Sequence, residues 1–241
     1  MFRTILMLAF WAVSLPIAAL LGFPWTYLTK DITFLYKTCM SAMWTGVRVA
    51  GVKVQTIGLE KLDPARTYIF MSNHISNLDP PITLPLIPRR SSVMVKKELF
   101  KVPILGPIMR IGSLVPVDRG NRDAGISAVR DAVKAIEQGL NMTIYVEGKR
   151  SFDGKLLPFK KGPFYLAEEC KVPVVPITIS GTEAVMPKGR FAIRPRTAMV
   201  TVEFHDPIEP SDFGERDCLM AKVRAAINGG LPAELRSSKT E

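Results

Sequence analysis

The chain begins with an apolar run and then settles into a regular alternation of patterns. From Thr4 to Thr29, TILMLAFWAVSLPIAALLGFPWTYLT carries no charged residue, and about 20 apolar residues suffice to cross a bilayer as a helix. A cleaved signal peptide would show a short apolar stretch closed by small residues. Here IAA is followed by Leu20, Phe23, Trp25 and Leu28, so the run continues past any such point. The pattern predicts a retained anchor. Pro16, Gly22 and Pro24 interrupt it and fit a kinked helix entering one leaflet as well as a straight span. The next segment, DITFLYKTCMSAMWTGVRVAG, puts Tyr36, Met40, Met43, Trp44 and Val47 on one helical face and Lys37, Ser41 and Arg48 on another. Such a helix packs on a domain core or, beside an anchor, lies in the membrane interface.

From residue 52 onward, short β-branched runs alternate with helical stretches. VKVQTI, TYIFMSN, SSVMVKK, SLVPVDR, NMTIYVEG, VPVVPITIS and MVTVEF predict strands. ELFKVPILGPIMRIG, DAGISAVRDAVKAIEQG, GPFYLAEEC and ERDCLMAKVRAAING predict helices or helical turns. The expected fold is therefore α/β: a mixed, largely parallel sheet flanked by helices, with an N-terminal membrane-anchoring helical segment. This divides the chain into residues 1–50, an anchor and amphipathic helix, and residues 51–241, an α/β domain. The polar tail ELRSSKTE is expected to fray.

Charge adds a class of partner. The 241 residues hold 32 basic and 22 acidic side chains, a net +10, and only Arg3 precedes the apolar run. An excess of this size attracts lipid headgroups, phosphorylated substrates or nucleic acid. The apolar N-terminus and the lack of any helix-turn-helix or zinc-finger pattern argue against nucleic acid. Cys39, Cys170 and Cys218 are scattered and odd in number, which gives neither a disulfide framework nor a zinc site and fits a reducing compartment.

Candidate chemistry gathers at predicted strand ends, where α/β sheets carry their sites. NHISNLD follows TYIFMS, DRGNR follows SLVPV, and EGKRS follows NMTIYV, while FKKG opens the helix at Gly162. The chain has two histidines. His74 lies five residues before Asp79, a spacing at which the carboxylate can fix the imidazole tautomer and stabilise the imidazolium. Asp79 also precedes Pro80-Pro81, which suits a helix cap, and one carboxylate can serve both purposes. No GxSxG elbow or nearby cysteine supplies a nucleophile, and Ser72 and Ser76 fit turn formers. The base is thus expected to activate a substrate hydroxyl or a water. His205, in VEFHDP, is expected to be structural, leaving no metal site. Arg119 and Arg150, with Lys97, Lys160 and Lys161, lie near glycine turns and element boundaries. Singly each fits a solvated surface charge, while together at one sheet edge they lead to the expectation of an anion site.

NHISNLD resembles the NHxxxxD motif of the 1-acyl-glycerol-3-phosphate acyltransferase family. KKELFKVPILGPIMRIGSLVPVDR is similar to that family's second block, with Pro103, Gly106 and Arg119 in order. VEGKRS resembles the third block, with Lys149 where the family has Ser or Thr, and the stretch ending in VPVVPI resembles the fourth. The resemblance covers about residues 70 to 181, and it is the ordered set of blocks that makes it specific. It implies an acyltransferase moving a fatty acyl group from a thioester of coenzyme A or acyl carrier protein to the hydroxyl of 1-acyl-glycerol-3-phosphate, forming phosphatidic acid. His74 would be the base and Asp79 its orienting partner. Lys97, Arg119 and Arg150 would hold the acceptor phosphate, and Glu147 and Gly148 would shape that pocket. It further implies no metal or bound cofactor, membrane lipid as a partner, and a site on the cytoplasmic face of the cell membrane. Competing expectations are a different acceptor (another lysophospholipid, glycerol-3-phosphate, a lyso-aminolipid), a non-catalytic binder of anionic membranes, and a thioesterase.

Overall fold

The computed structural model describes residues 2–118, 122–190, 192–194 and 199–237. Seven strands form one sheet: β1 (Lys53–Ile57), β2 (Ile69–Ser72), β3 (Ser91–Lys96), β4 (Val115–Val117), β5 (Asn141–Tyr145), β6 (Val174–Ser180) and β7 (Met199–Phe204). Their order is β1-β7-β6-β2-β5-β3-β4. Every pairing is parallel except β6 with β7, so the sheet is mixed and largely parallel. All four residues of β2 and all seven of β6 are buried, as expected for central strands covered on both faces. Along β2 the side chains alternate: Tyr68 and Phe70 enter one core, Ile69 and Met71 the other.

Eight helices accompany the strands among the described residues: α1 (Phe2–Thr29), α2 (Thr33–Val49), α3 (Asp79–Thr83), α4 (Leu105–Ile111), α5 (Arg122–Glu137), α6 (Gly162–Cys170), α7 (Thr182–Val185) and α8 (Arg216–Gly230). The core with Ile69 and Met71 is closed by Ala132 and Ile136 of α5, Phe164 of α6 and Val223 of α8. The other is closed by Val47 of α2, Ile82 of α3 and Met7 of α1. The single helix expected over ELFKVPILGPIMRIG is split instead into a 3-10 turn, Lys97–Lys101, and α4. Pro103 explains the break, because proline disfavours a helical conformation at the residue before it.

The apolar N-terminal run is one helix that continues through Pro16 and Pro24. It packs antiparallel on α2 at two glycines: a Cβ on Gly22 would press into Leu35, and one on Gly46 would clash with the Trp11 indole. Trp11 Nε1 also donates to the Ala42 carbonyl at 3.1 Å. The start of α1 is tied to the α/β core, since Met7 is buried in it and Thr4 Oγ1 accepts the Ile193 N–H at 2.8 Å. The amphipathic pattern of α2 is used against the core: Met40, Met43 and Trp44 pack on it while Lys37, Ser41 and Arg48 stay exposed. The outer face of α1, by contrast, has no cover among the described residues. Val13, Ile17, Leu20, Leu21, Trp25, Tyr27 and Leu28 are each at least half exposed. Within the described residues, α1 is the one helix long and apolar enough to cross a membrane.

Candidate active site

β2, β5, β3 and β4 point the same way, so the segments following them share one edge of the sheet. At the end of β2 the chain cannot simply continue its ladder, and Asn73 takes over. Its side-chain amide accepts the Ile179 N–H and donates to the Ile179 carbonyl, both at 2.8 Å, extending the pairing of β2 to β6. This fixes the backbone on which the next residue, His74, is displayed.

His74 Nδ1 lies 2.7 Å from Asp79 Oδ2. The same oxygen accepts the N–H groups of Ile75 and Ser76 at 2.7 and 2.8 Å. Asp79 is the first residue of α3, yet its carboxylate reaches back into the preceding loop, and no side-chain cap bond forms on that helix. The helix-cap interpretation of Asp79 is therefore replaced by a loop clamp. An ionised carboxylate only accepts hydrogen bonds, so Nδ1 carries the proton and Nε2 is the free, basic nitrogen. The Asp79 side chain is 0% exposed and that of His74 12%, so the orienting charge is dry while the ring still reaches the surface. Tyr145 stacks on the imidazole with ring centroids 4.3 Å apart, which limits its tilt.

Glu147 is fixed from both sides. Its Oε1 accepts the N–H of His74 and its Oε2 that of Leu157, both at 2.8 Å. It thus braces the main chain under the imidazole, and the Ser151 N–H donates to the His74 carbonyl at 2.8 Å. Gly148 makes the intervening turn at φ +68°, with Lys160 so close that a side chain there would crowd it. Burial pushes the Glu147 carboxyl up to about 7, against the opposing pull of its two N–H donors. Because the folded-state value is raised, the native state binds the proton more readily. Stability linked to this group is full below about pH 4.5 and falls as pH rises through about 7. Glu147→Gln is expected to remove that slope and to destabilise by about 1–3 kcal/mol, because the amide NH₂ faces one of the two N–H donors. Urea unfolding at pH 5 and pH 8 checks both effects.

The structure brings together His74, Asp79, Glu147 and Gly148, and ties Arg150 to them through the same loop. Lys188 Nζ donates to the Arg150 carbonyl at 2.7 Å and lies over the Phe152 ring. Lys97 sits on the same sheet edge after β3, exposed and ion-paired with Asp118. Arg119 lies outside the described residues. Ser72 and Ser76 each donate their hydroxyl to a backbone carbonyl, of Asn73 and Met186 respectively, and so act as turn residues. His205 is a partner of Thr178 Oγ1 at 2.7 Å, away from this edge. Among the described residues no cluster of three or more histidines, cysteines or carboxylates could hold a metal. Sequence reasoning missed Asn73, Tyr145 and Lys188. Asn73 opens the NHISNLD motif without a role being read for it, Tyr145 ends β5 and showed only as a strand residue, and Lys188 meets the loop solely through the fold.

A histidine oriented by a buried carboxylate, with its outer nitrogen toward the carboxyl edge of a parallel sheet, is an arrangement that can accept a proton from a hydroxyl. Residues 53–180 match the acyltransferase family. The 1-acyl-sn-glycerol-3-phosphate acyltransferase of Limnanthes douglasii is 32% identical over 203 residues, spanning 84% of this chain and 70% of its own length. The protein of the same name from Cocos nucifera is 30% identical over 197 residues, 81% of this chain and 61% of its own. The crystal structure of the 1-acyl-sn-glycerophosphate (LPA) acyltransferase PlsC from Thermotoga maritima superposes with a TM-score of 0.82 at 26% identity, covering 99% of this chain and 97% of that one. The chain belongs to the 1-acyl-sn-glycerol-3-phosphate acyltransferase family and is an acyltransferase.

Proposed function

We propose that the protein transfers a fatty acyl group from an acyl thioester of coenzyme A or acyl carrier protein to the hydroxyl of 1-acyl-glycerol-3-phosphate, giving phosphatidic acid. The observation that carries this reading is the open Nε2 of His74 beside a loop bearing Arg150. His74 Nε2 takes the proton of the acceptor hydroxyl as its oxygen attacks the thioester carbonyl. The C–S bond then breaks, and the departing sulfur recovers the proton from the imidazolium as a free thiol. Asp79 stabilises the transient positive charge, and Glu147 keeps the imidazole at its station. The thioester is itself a substrate, so the chemistry needs no bound cofactor or metal.

Arg150 is the phosphate contact in this reading, with Arg119 as the second arginine that the resemblance implies. Lys97 joins them only by exchanging Asp118 for the acceptor phosphate. Arg150→Ala is expected to raise the acceptor KM roughly ten- to over a hundredfold, the loss of a charge-assisted hydrogen bond. The KM for the thioester should move far less. Arg150→Lys is expected to recover only part, because a point charge replaces a planar fork. Unchanged acceptor saturation in both variants would remove Arg150 from the site.

The exposed outer face of α1 supports membrane attachment from one side. A helix of 28 residues is about 42 Å long, more than the roughly 30 Å hydrocarbon core. Its first turns are nevertheless anchored in the α/β core, and α2 lies along it, so the hairpin rests against one leaflet. Exposed Leu99, Val102, Ile104 and Leu105 near α4 extend the apolar contact, since Ile108 packs on the hairpin. Attachment is expected to survive both high salt and carbonate washing. Quantitative release of the intact chain by either would show that only charge holds it.

A further inference from the structure

A second cationic site lies at the opposite edge of the sheet. Arg89 and Arg90 immediately precede β3, and Gly139 and Leu140 precede β5, so this region is one strand length from His74. A cavity of about 530 Å³ opens there between the sheet and the start of α2, lined by Tyr36, Lys37, Met40, Leu84, Arg89 and Arg90 among others. Arg89 is oriented by two carbonyls, donating to Ala65 at 2.7 Å and Gly139 at 2.9 Å, so its charge is positioned but not neutralised. The Arg90 guanidinium is half-buried and forms no hydrogen bond among the described residues, and burial weakens its hold on its proton. The carboxylate acting on it is Asp31, which is exposed and has committed Oδ1 to the Thr33 N–H at 2.8 Å. Tyr36 already accepts the Ser91 N–H, leaving its hydroxyl proton available to the cavity.

A half-desolvated guanidinium whose one facing carboxylate is exposed and shared is costly, and three cations against that single carboxylate leave the cavity with an excess of positive charge. Met40 and Leu84 add apolar surface to the lining, and α1, with its bare outer face, ends at Thr29, four residues before the lining residue Thr33. We infer that this cavity is a binding site for a phosphate group, separate from the catalytic edge, with Arg90 and Lys37 as its principal contacts. The phosphate belongs either to a phospholipid headgroup, whose glycerol and first methylenes would lie on Met40 and Leu84, or to a soluble phosphate ester. The inference does not depend on the acyl-transfer reading.

The test uses the full chain in neutral detergent micelles, carrying Arg150→Ala so that acceptor binding at the catalytic edge is suppressed. Inorganic phosphate and dihexanoyl-phosphatidylglycerol are titrated separately by calorimetry. Binding is expected in this background, and adding Arg90→Ala should weaken it roughly ten- to over a hundredfold. Lys37→Ala, at an exposed position that cannot perturb folding much, should weaken it severalfold. Arg90-dependent lipid binding that inorganic phosphate does not displace assigns the site to headgroups, and equal Arg90-dependent binding of inorganic phosphate assigns it to soluble esters. Either result supports the inference. It is overturned if neither probe binds, or if binding is the same with Arg90→Ala and Lys37→Ala.

Discussion

His74→Ala is expected to lower acyl transfer at least about a hundredfold, since a positioned general base contributes roughly 10²–10⁴ in rate. The fold should survive the change. The contacts that hold residue 74 in place, to Glu147 Oε1 and from the Ser151 N–H, are made by its main chain, and alanine keeps them. Asp79 loses one of its three donors but retains the N–H groups of Ile75 and Ser76. Acceptor and thioester KM should therefore stay near wild type while kcat collapses. A variant that transfers acyl groups at more than a tenth of the wild-type rate would remove the imidazole from the reaction.

Asp79→Asn is the second large effect, and the structure makes it unusually clean. Two backbone N–H groups converge on Oδ2, and Oδ1 is buried without a hydrogen-bond partner among the described residues. An asparagine must then place its carbonyl oxygen where Oδ2 sits and its NH₂ where Oδ1 sits. Nδ1–H still finds an acceptor, so the tautomer of His74 is preserved. What disappears is the negative charge facing the developing imidazolium. Transfer is expected to fall by about a hundredfold or more, with stability lowered by about 1–3 kcal/mol, because neutral hydrogen bonds replace charged ones and the NH₂ lies where Oδ1 has no partner among the described residues. Normal folding with wild-type turnover would reduce Asp79 to a clamp on the loop.

Much of this fold is legible in local pattern. All seven strands fall within their β-branched or apolar runs, because a short continuous apolar run such as YIFM is what a strand buried on both faces requires. α6 begins and ends where GPFYLAEEC does. The strand order is not legible, because pairing β1 with β7 across more than 140 residues depends on tertiary packing with no local signature. The same limit explains the site. His74 and Asp79 are close in sequence and show themselves as a motif, whereas Glu147 reaches His74 only through the neighbouring strand β5. Sequence placed Glu147 and Gly148 in a substrate pocket. In the structure the carboxylate of Glu147 is taken up by two main-chain donors, so its contribution to any pocket runs through the loop it holds.

The N-terminus shows a different kind of gap. Its lack of charge reveals an apolar helix but not which face is covered. Gly22 and Gly46 offered a usable signal, since small residues opposite Leu35 and Trp11 permit close helix approach. Once that hairpin forms, Met40, Met43 and Trp44 of α2 lie against the core, and most of the bare apolar surface belongs to α1, with Phe34 of α2 beside Trp25.

The central claim is that the His74–Asp79 pair transfers an acyl group to a phosphate-bearing lysolipid. It is tested most directly by incubating the purified full chain with a radiolabelled acyl thioester and a panel of acceptors, and resolving the products by chromatography. The panel holds 1-acyl-glycerol-3-phosphate, other lysophospholipids, glycerol-3-phosphate and a monoacylglycerol lacking phosphate. Label is expected in phosphatidic acid, dependent on His74, with the unphosphorylated acceptor poor. Label released as free fatty acid regardless of acceptor, or phosphatidic acid formed equally well by His74→Ala, would contradict it.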